Sequence, residues 1–259
     1  VKIATWNVNS LKVRLPHVLD WLAAVQPDAL CLQETKTEES GFPFAELEAA
    51  GYPAVHNGQK TYNGVAILAR QPLTETVRDL PDFDDPQKRV IAATAGDVSG
   101  VRLVCAYMPN GQEVGSDKYT YKLKWLAALT RWLSAELRRH PRLVLLGDFN
   151  IAPDDRDVHD PAAWRDKILC SEPERDAFRR LLDLGLVDAF RMFEQPEKSF
   201  SWWDYRMNGF ARNRGLRIDH ILVSKALARQ CTACTIDRAP RVWERPSDHA
   251  PVIATFVPG

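Results

Sequence analysis

No run in the 259 residues approaches the roughly 18 apolar residues that a membrane span requires. The opening stretch, VKIATWNVNS, has no basic region followed by an apolar core, so neither membrane insertion nor secretion is expected. Cysteine is sparse and odd in number. Of the five, Cys31 and Cys105 lie inside the apolar runs LCLQ and LVCAY, where a thiol serves as a small buried hydrophobe, and a reducing, cytoplasmic setting is expected. Cys231 and Cys234 have metal-like spacing but lack a second pair, which argues against structural zinc. Neither sign of charge is in excess: 34 Lys and Arg stand against 34 Asp and Glu, so the partner's charge must be read from local distribution. There is no solenoid-length repeat, no low-complexity segment and no dividing linker, and a single domain over 1–259 is expected. Finally, no Ser or Cys nucleophile sits beside an obvious base, which disfavours a covalent intermediate.

What is present is organised around LVLLGDFN at 143–150. Four apolar residues run into a glycine and end on Asp148 and Asn150, the pattern of a buried strand whose carboxyl end turns polar. In open α/β sheets such ends form the ligand crevice, although an Asx turn has the same spelling. VKIATWN reads as an earlier strand, followed by a helix capped by Ser10 with apolar positions Leu11, Leu15, Val18, Leu19, Leu22 and Val25. ALCLQE is a second buried strand, ending on Gln33 and Glu34. From 52 to 107 five short strand-like runs separated by Gly, Asn-Gly and Pro read as an antiparallel meander, ending at Tyr107 and Asn110. The segment KYTYKLKWLAALTRWLSAELRRH predicts a long helix with Leu123, Leu126, Leu129, Leu133 and Leu137 on one face, and ERDAFRRLLDLGL a second amphipathic one.

Toward the end, Trp202, Trp203, Tyr205 and Phe210 are interleaved with Arg206, Arg212, Arg214 and Arg217, ahead of a strand holding Asp219. Rings that stack and guanidinium groups that bind phosphate suit a nucleic-acid surface, and a Trp-rich core edge with solvated arginines would read the same way. With Lys118 and Lys122, these arginines are expected to form a local basic face. PSDHAPVIATF then places Asp248 and His249 before a last strand. Asn7, Glu34, Tyr107, Asp148, Asn150, Asp219, Asp248 and His249 thus all fall at strand ends or adjacent turns. Carboxylates and carboxamide oxygens are hard ligands suited to Mg²⁺, and a His oriented by Asp can donate to a phosphoryl oxygen, so metal-assisted attack of water on a phosphate ester is the expected chemistry.

These motifs, WNVNS at 6, LCLQETK at 30, YNGVAIL at 62, YMPNG at 107, GDFN at 147, GLRIDHILVS at 215 and SDHAPV at 247, resemble the exonuclease III type of abasic-site endonucleases, in the endonuclease/exonuclease/phosphatase superfamily. The resemblance spans essentially the whole chain. It implies a four-layered α/β sandwich, two packed mixed, mostly antiparallel sheets flanked by helices, and hydrolysis of phosphoester bonds in damaged DNA. By that likeness Glu34 holds the metal with Asn7, Asn9 and Asp248 around it, Asp148 orients or deprotonates the attacking water, and Asn150 hydrogen-bonds in the same site. Tyr107 and Asn110 would hold the phosphate and leaving side, Asp219 would orient His249, and Trp202, Leu216 and Ile218 would line a pocket for a sugar without its base. The implied cofactor is Mg²⁺, with Mn²⁺ able to substitute; some relatives carry Asp where this chain has Asn9, which leaves one or two ions open. The implied partner is duplex DNA with abasic sites or blocked 3′ ends, met by a monomer, with a small or lipid phosphate as the alternative substrate and a catalytically dead binding module as the alternative class. The segment after GDFN carries Asp154, Asp155, Asp157 and Asp160 with His159 and Trp164. An acidic, bulky rim there is expected to repel a continuous backbone and to bias the chemistry toward 3′ ends.

Overall fold

Residues 1–96 and 100–257 are described by the structure, a computed structural model. In chain order the elements are β1 (Lys2–Asn7), α1 (Leu11–Val25), β2 (Ala29–Gln33), α2 (Phe44–Ala49), β3 (Ala54–Asn57), β4 (Val65–Ala69), β5 (Leu73–Arg78), β6 (Val90–Ala95) and β7 (Val101–Tyr107). They continue as α3 (Asp117–Arg139), β8 (Leu143–Asp148), α4 (Pro161–Trp164), α5 (Glu172–Asp183), β9 (Leu186–Asp188), β10 (Trp202–Trp203), β11 (Gly215–Leu216), β12 (Asp219–Ser224), α6 (Lys225–Ala228), β13 (Cys231–Ile236) and β14 (Val252–Phe256). Two six-stranded sheets result, ordered β13-β14-β1-β2-β4-β3 and β5-β6-β7-β8-β12-β9, with β10 and β11 forming a small ribbon.

Each sheet contains one parallel pair bridged by a helix, β1-α1-β2 in the first and β7-α3-β8 in the second; the other pairings are antiparallel. The sheets meet face to face because their strands are apolar on both sides. Cys31, Ile67, Ile91, Cys105, Val144, Leu146, Ile221 and Ala254 fill the space between them. The alternate residues face outward: Leu30, Leu32 and Leu68 pack against Val18, Trp21 and Leu22 of α1, and Val104, Leu145 and Leu222 against Trp125, Leu129 and Leu133 of α3 and Phe178 of α5. This is the four-layered sandwich that the family resemblance implies. Each such fully buried aliphatic side chain contributes about 1.5–3 kcal/mol of transfer free energy.

Helix starts follow the expected chemistry. Ser10 Oγ accepts from Val13 N, Ser116 Oγ accepts from Tyr119 N, and Ser171 with Glu174 forms a capping box on α5. The run from 52 to 107 differs from a single meander: β3 and β4 close the first sheet, while β5, β6 and β7 open the second. A strand buried on both faces has the same spelling whether its neighbour lies in its own sheet or in the one stacked on it, so the crossing between β4 and β5 leaves no mark in the periodicity. On α3 the leucine stripe is narrower than expected. Leu126, Leu129 and Leu133 are buried and Leu123 and Leu137 only half-buried, because Lys122 and Glu136 take up part of the inward face. No helix among the described residues is long and apolar enough to cross a membrane, and all five cysteines are free thiols.

Candidate active site

The helix-bridged pairs lay the carboxyl ends of β1, β2, β7 and β8 along one edge of the sandwich, and Asn7, Glu34, Tyr107 and Asp148 gather there. Gly147 makes the approach possible: its φ is +148°, and a Cβ at this position would lie 1.8 Å from the Ala106 carbonyl oxygen on β7. Asp219 and His249 reach the same edge from strands running the other way, Asp219 directly opposite Asp148 in the β8–β12 register and His249 just before β14. The turns leaving these strands are backbone-strained, with Asn9, Glu34, Lys36 and Asn150 all at φ between 44° and 54°.

Asn7 is the bridge. Its Nδ2 donates to Glu34 Oε1 and to Asp148 Oδ2, both at 2.9 Å, while its Oδ1 accepts from the Asn9 amide at 3.0 Å. The oxygen is thus engaged by backbone, and the amide nitrogen orients two carboxylates. Asp148 Oδ1 accepts from Asn150 N at 2.9 Å, and Oδ2 lies 3.6 Å from His249 Nε2. On its other side His249 Nδ1 meets Asp219 Oδ2 at 2.8 Å. Ser201 completes this array: its hydroxyl donates to Asp219 Oδ2 at 2.7 Å and accepts from the amides of Ile218 and Asp219 at 3.0 Å. Ser247 Oγ donates to Asn7 O at 2.6 Å and accepts from His249 N at 3.2 Å, tying β1 to the histidine turn. Sequence reasoning missed both serines. Ser247 was findable as the residue opening SDH, whereas nothing around Ser201 distinguishes it from a loop serine.

Burial sets the protonation states. Removal from water, followed by the Asp219 charge, pushes Asp148 up to about 7 against the opposing pull of His249. For His249 burial disfavours the charged ring, but the carboxylates of Asp219, Asp148 and Asp248 outweigh it and hold the imidazole up to about 10. Burial, together with the charges of Glu34 and Asp148, likewise holds the Tyr107 phenol well above its ordinary value, so it keeps its proton.

Glu34, Asp148 and His249 offer ligand atoms within 4.8 Å of one another, a grouping able to hold a metal. Its oxygen donors are Glu34 and Asp148, and the Asn9 carboxamide lies on the Glu34 side. A cation already tests that side. Lys36 Nζ sits 2.6 Å from Asn9 Oδ1 and 3.2 Å from Glu34 Oε2, so these oxygens converge on positive charge and fit a hard divalent ion. Asp248 stands apart from them, its two oxygens accepting from Asn9 Nδ2 at 3.2 Å and Trp202 Nε1 at 2.9 Å.

Around this centre Asn110 Nδ2 is 3.4 Å from Asn150 Oδ1, and Trp202, Leu216 and Ile218 share an apolar cluster with Val158 and Trp164. Val158 bridges to Leu216, and the His159 amide donates to Gly215 O at 3.1 Å, so the segment after GDFN lies against that cluster with the His159 ring edge-on to Trp164. The segment is less acidic than its spelling. Asp157 is buried against Arg217 and Arg191, Asp155 pairs with Arg175, Asp154 with Arg156, and Asp160 caps α4. The basic face is likewise thinner: Arg217 is buried between Asp157 and Asp188, and Lys122 is buried against Glu174. Arg206, Arg212, Arg214 and Lys118 remain exposed, Arg206 paired with Asp204.

Comparisons with known proteins place the chain in a family. The model of the endonuclease/exonuclease/phosphatase family matches residues 4–249. The chain is 39% identical to exodeoxyribonuclease III of Haemophilus influenzae, over 99% of this chain and 100% of that one. It superposes with a TM-score of 0.96 and 51% identity on the 3′ phosphatase NExo from Neisseria bound to product DNA hairpin, covering 99% of both chains. It superposes with a TM-score of 0.94 and 38% identity on an AP endonuclease from Archaeoglobus fulgidus, again over 99% of both. A family match that runs from β1 to His249 leaves one conclusion: this chain belongs to the endonuclease/exonuclease/phosphatase family.

Proposed function

We propose that the chain is a Mg²⁺-dependent DNA repair nuclease that hydrolyses phosphoester bonds at damaged DNA, with a bias toward processing 3′ ends, and that it works as a cytoplasmic monomer. The observation that carries this reading is the array running from Glu34 through Asn7 to Asp148, His249 and Asp219, with a buried carboxylate 3.6 Å from an imidazole that a second carboxylate backs. In this reading Asp148, poised near 7, orients water and takes its proton. His249, kept protonated by Asp219, donates to a non-bridging phosphoryl oxygen and stabilises charge as it develops there. Tyr107, Asn110 and Asn150 place the phosphate and leaving group through neutral donors. Glu34 and Asn9, with Asp148 beside them, would hold Mg²⁺, or Mn²⁺ in its place, which when bound acts as a Lewis acid toward the phosphate. Trp202, Leu216 and Ile218 form the apolar wall that a sugar without its base would face, and Arg212, Arg214 and Lys118 supply backbone contacts, Arg206 being paired with Asp204.

The 3′-end bias rests on bulk rather than on charge, since the aspartates of the rim are paired or capping. His159 and Trp164 stand against the Leu216 side of the apolar cluster, and in this reading they obstruct a strand that continues past the site. The relative that shares 51% identity is described as a 3′ phosphatase, which fits this bias. The deciding experiment is incubation with Mg²⁺ and duplex DNA bearing an internal abasic site, a recessed 3′ end or a 3′-phosphate. Release of phosphate and nucleotides from 3′ ends ahead of internal cleavage is expected, and hydrolysis of free phosphate monoesters with no turnover of DNA would overturn the reading.

A further inference from the structure

We propose that Lys122 and Glu174 form a buried clamp that sets the spacing of the Asn110 and Asn150 loops, making Lys122 a positioning residue for the site; this rests on the placement of those two asparagines in the site given above. Lys122 lies on α3 with its side chain wholly buried. Its ammonium has three protons to donate, and each has a fixed acceptor: Asn110 O at 3.2 Å, Asn150 O at 2.7 Å and the Glu174 carboxylate. None is left for a phosphate. The two carbonyls belong to loops from different strands, one following β7 and one following β8, and the carboxamides those loops carry lie 3.4 Å apart. The Asn150 amide in turn holds Asp148 Oδ1 at 2.9 Å, so a shift of this backbone is felt directly at the carboxylate. Gly111, at φ +87°, lies so close that a Cβ would be 3.0 Å from Lys122 Cδ, which keeps the Asn110 loop flat against the lysine stem.

Glu174 anchors the other end. Its Oε1 also accepts from Leu169 N at 3.0 Å, and its Oε2 accepts from Ser171 N at 3.1 Å and Ser171 Oγ at 2.6 Å. The Ser171 hydroxyl is 2.8 Å from that of Tyr119, one turn before Lys122 on α3. The clamp therefore joins the end of the segment that follows GDFN to both asparagine loops. A buried ion pair is often replaceable by apolar or neutral groups without loss of stability. What a neutral replacement cannot do here is donate to two carbonyls at once.

The test uses Lys122→Met and Lys122→Met with Glu174→Gln, assayed with Mg²⁺ on duplex DNA carrying a 3′-phosphate. The single variant strands a buried carboxylate, and a lowered Tm is expected. The double variant leaves no unpaired charge and retains a capping-box acceptor, so its Tm should recover part of what the single variant loses, the rest being the cost of the two carbonyls left without a donor, while kcat stays down on the order of 10- to 100-fold with KM little changed. A double variant whose kcat recovers along with its Tm would overturn the clamp, since a purely structural pair predicts that recovery. The loss should also match that of Asn150→Ala in its split between kcat and KM. An Asn150→Ala variant with unaltered kcat would remove that asparagine from the site, and the positioning role of Lys122 with it, whatever the double variant does.

Discussion

His249 Nδ1 and Asp219 Oδ2 meet at 2.8 Å although 30 residues separate them, and the contact lies on the face of the ring away from Asp148. The imidazole is therefore held from behind, with Nε2 turned toward Asp148. The pH dependence of the reaction should report it. In the proposed mechanism Asp148 is ionised to accept a proton and His249 protonated to donate one, so kcat/KM is expected to rise as pH passes about 7 and to fall as it passes about 10. Asp219→Asn takes away the largest charge supporting the imidazolium and should move the alkaline limb to lower pH, with kcat lowered by at least about 10²-fold. Single-turnover profiles of the two proteins provide the comparison, and an unmoved alkaline limb would assign that limb to another group.

Loss of Glu34 should separate turnover from folding. Glu34→Ala, or EDTA added to the parent protein, is expected to abolish hydrolysis while far-ultraviolet circular dichroism stays unchanged. The stabilisation that Mg²⁺ confers on the parent in a thermal melt should vanish in the variant, because binding that favours the folded state raises Tm. Full activity of the variant across a metal titration would reassign the ligand.

His159 can be tested without touching a ligand of the metal. His159→Gly removes the ring that packs on Trp164 and should raise internal abasic cleavage relative to 3′-phosphate release. The quantity to compare is the ratio of kcat/KM values for the two substrates. Equal ratios before and after the substitution would exclude this side chain as the source of the bias.

Arg217 carries a stability prediction in place of the DNA contact its neighbourhood implied. Its guanidinium spans Asp157 at 2.7 Å and Asp188 at 2.8 Å, and Arg217→Met leaves two buried carboxylates short of their counter-charge, at an expected cost of about 3–5 kcal/mol in urea titration. Burial opposes ionisation of Asp157 and Asp188, but Arg217 outweighs it and holds both below the ordinary carboxyl value. Depressed folded-state values contribute stability that is present above the unfolded value of about 3.9 and is lost as pH falls through the folded ones. Stability of the parent should therefore drop on acidification below that point, and that of Asp157→Asn should drop less.

Salt dependence counts the phosphate contacts. With Arg217 and Lys122 buried and Arg206 paired to Asp204, about three free cations remain, Arg212, Arg214 and Lys118, and the slope of log K against log salt is expected near −2.7. Each of the three replaced by Ala should flatten it by roughly one unit. Anisotropy titrations over a range of salt would detect this, and affinity indifferent to salt would exclude a polyanionic partner.

Local spelling carried a large part of this molecule. Period-two and period-3.6 patterns marked the strands and helices, Ser10 marked the start of the first helix, polar residues after apolar runs marked Asn7, Glu34, Tyr107 and Asp148 as strand-end groups, and His249 stood just before the last strand, because each of those signals is complete within a few residues of chain. The sequence by itself determined the alternation of strands and helices and the polar residue types at the strand ends; the four-layered arrangement came from the family resemblance. Tertiary structure alone decided which sheet β3, β4 and β5 join, since strands buried on both faces are spelled alike in either. It also decided which charges meet solvent. Arg217 and Arg214 are three positions apart, yet one is sealed between carboxylates, the farther of them 60 residues away, and the other is exposed. Asp157 and Asp160 diverge in the same way, as does Lys122 from Lys118. A charged residue's role depends on the dielectric around it and on the partner it finds there, and both are set by segments distant in sequence.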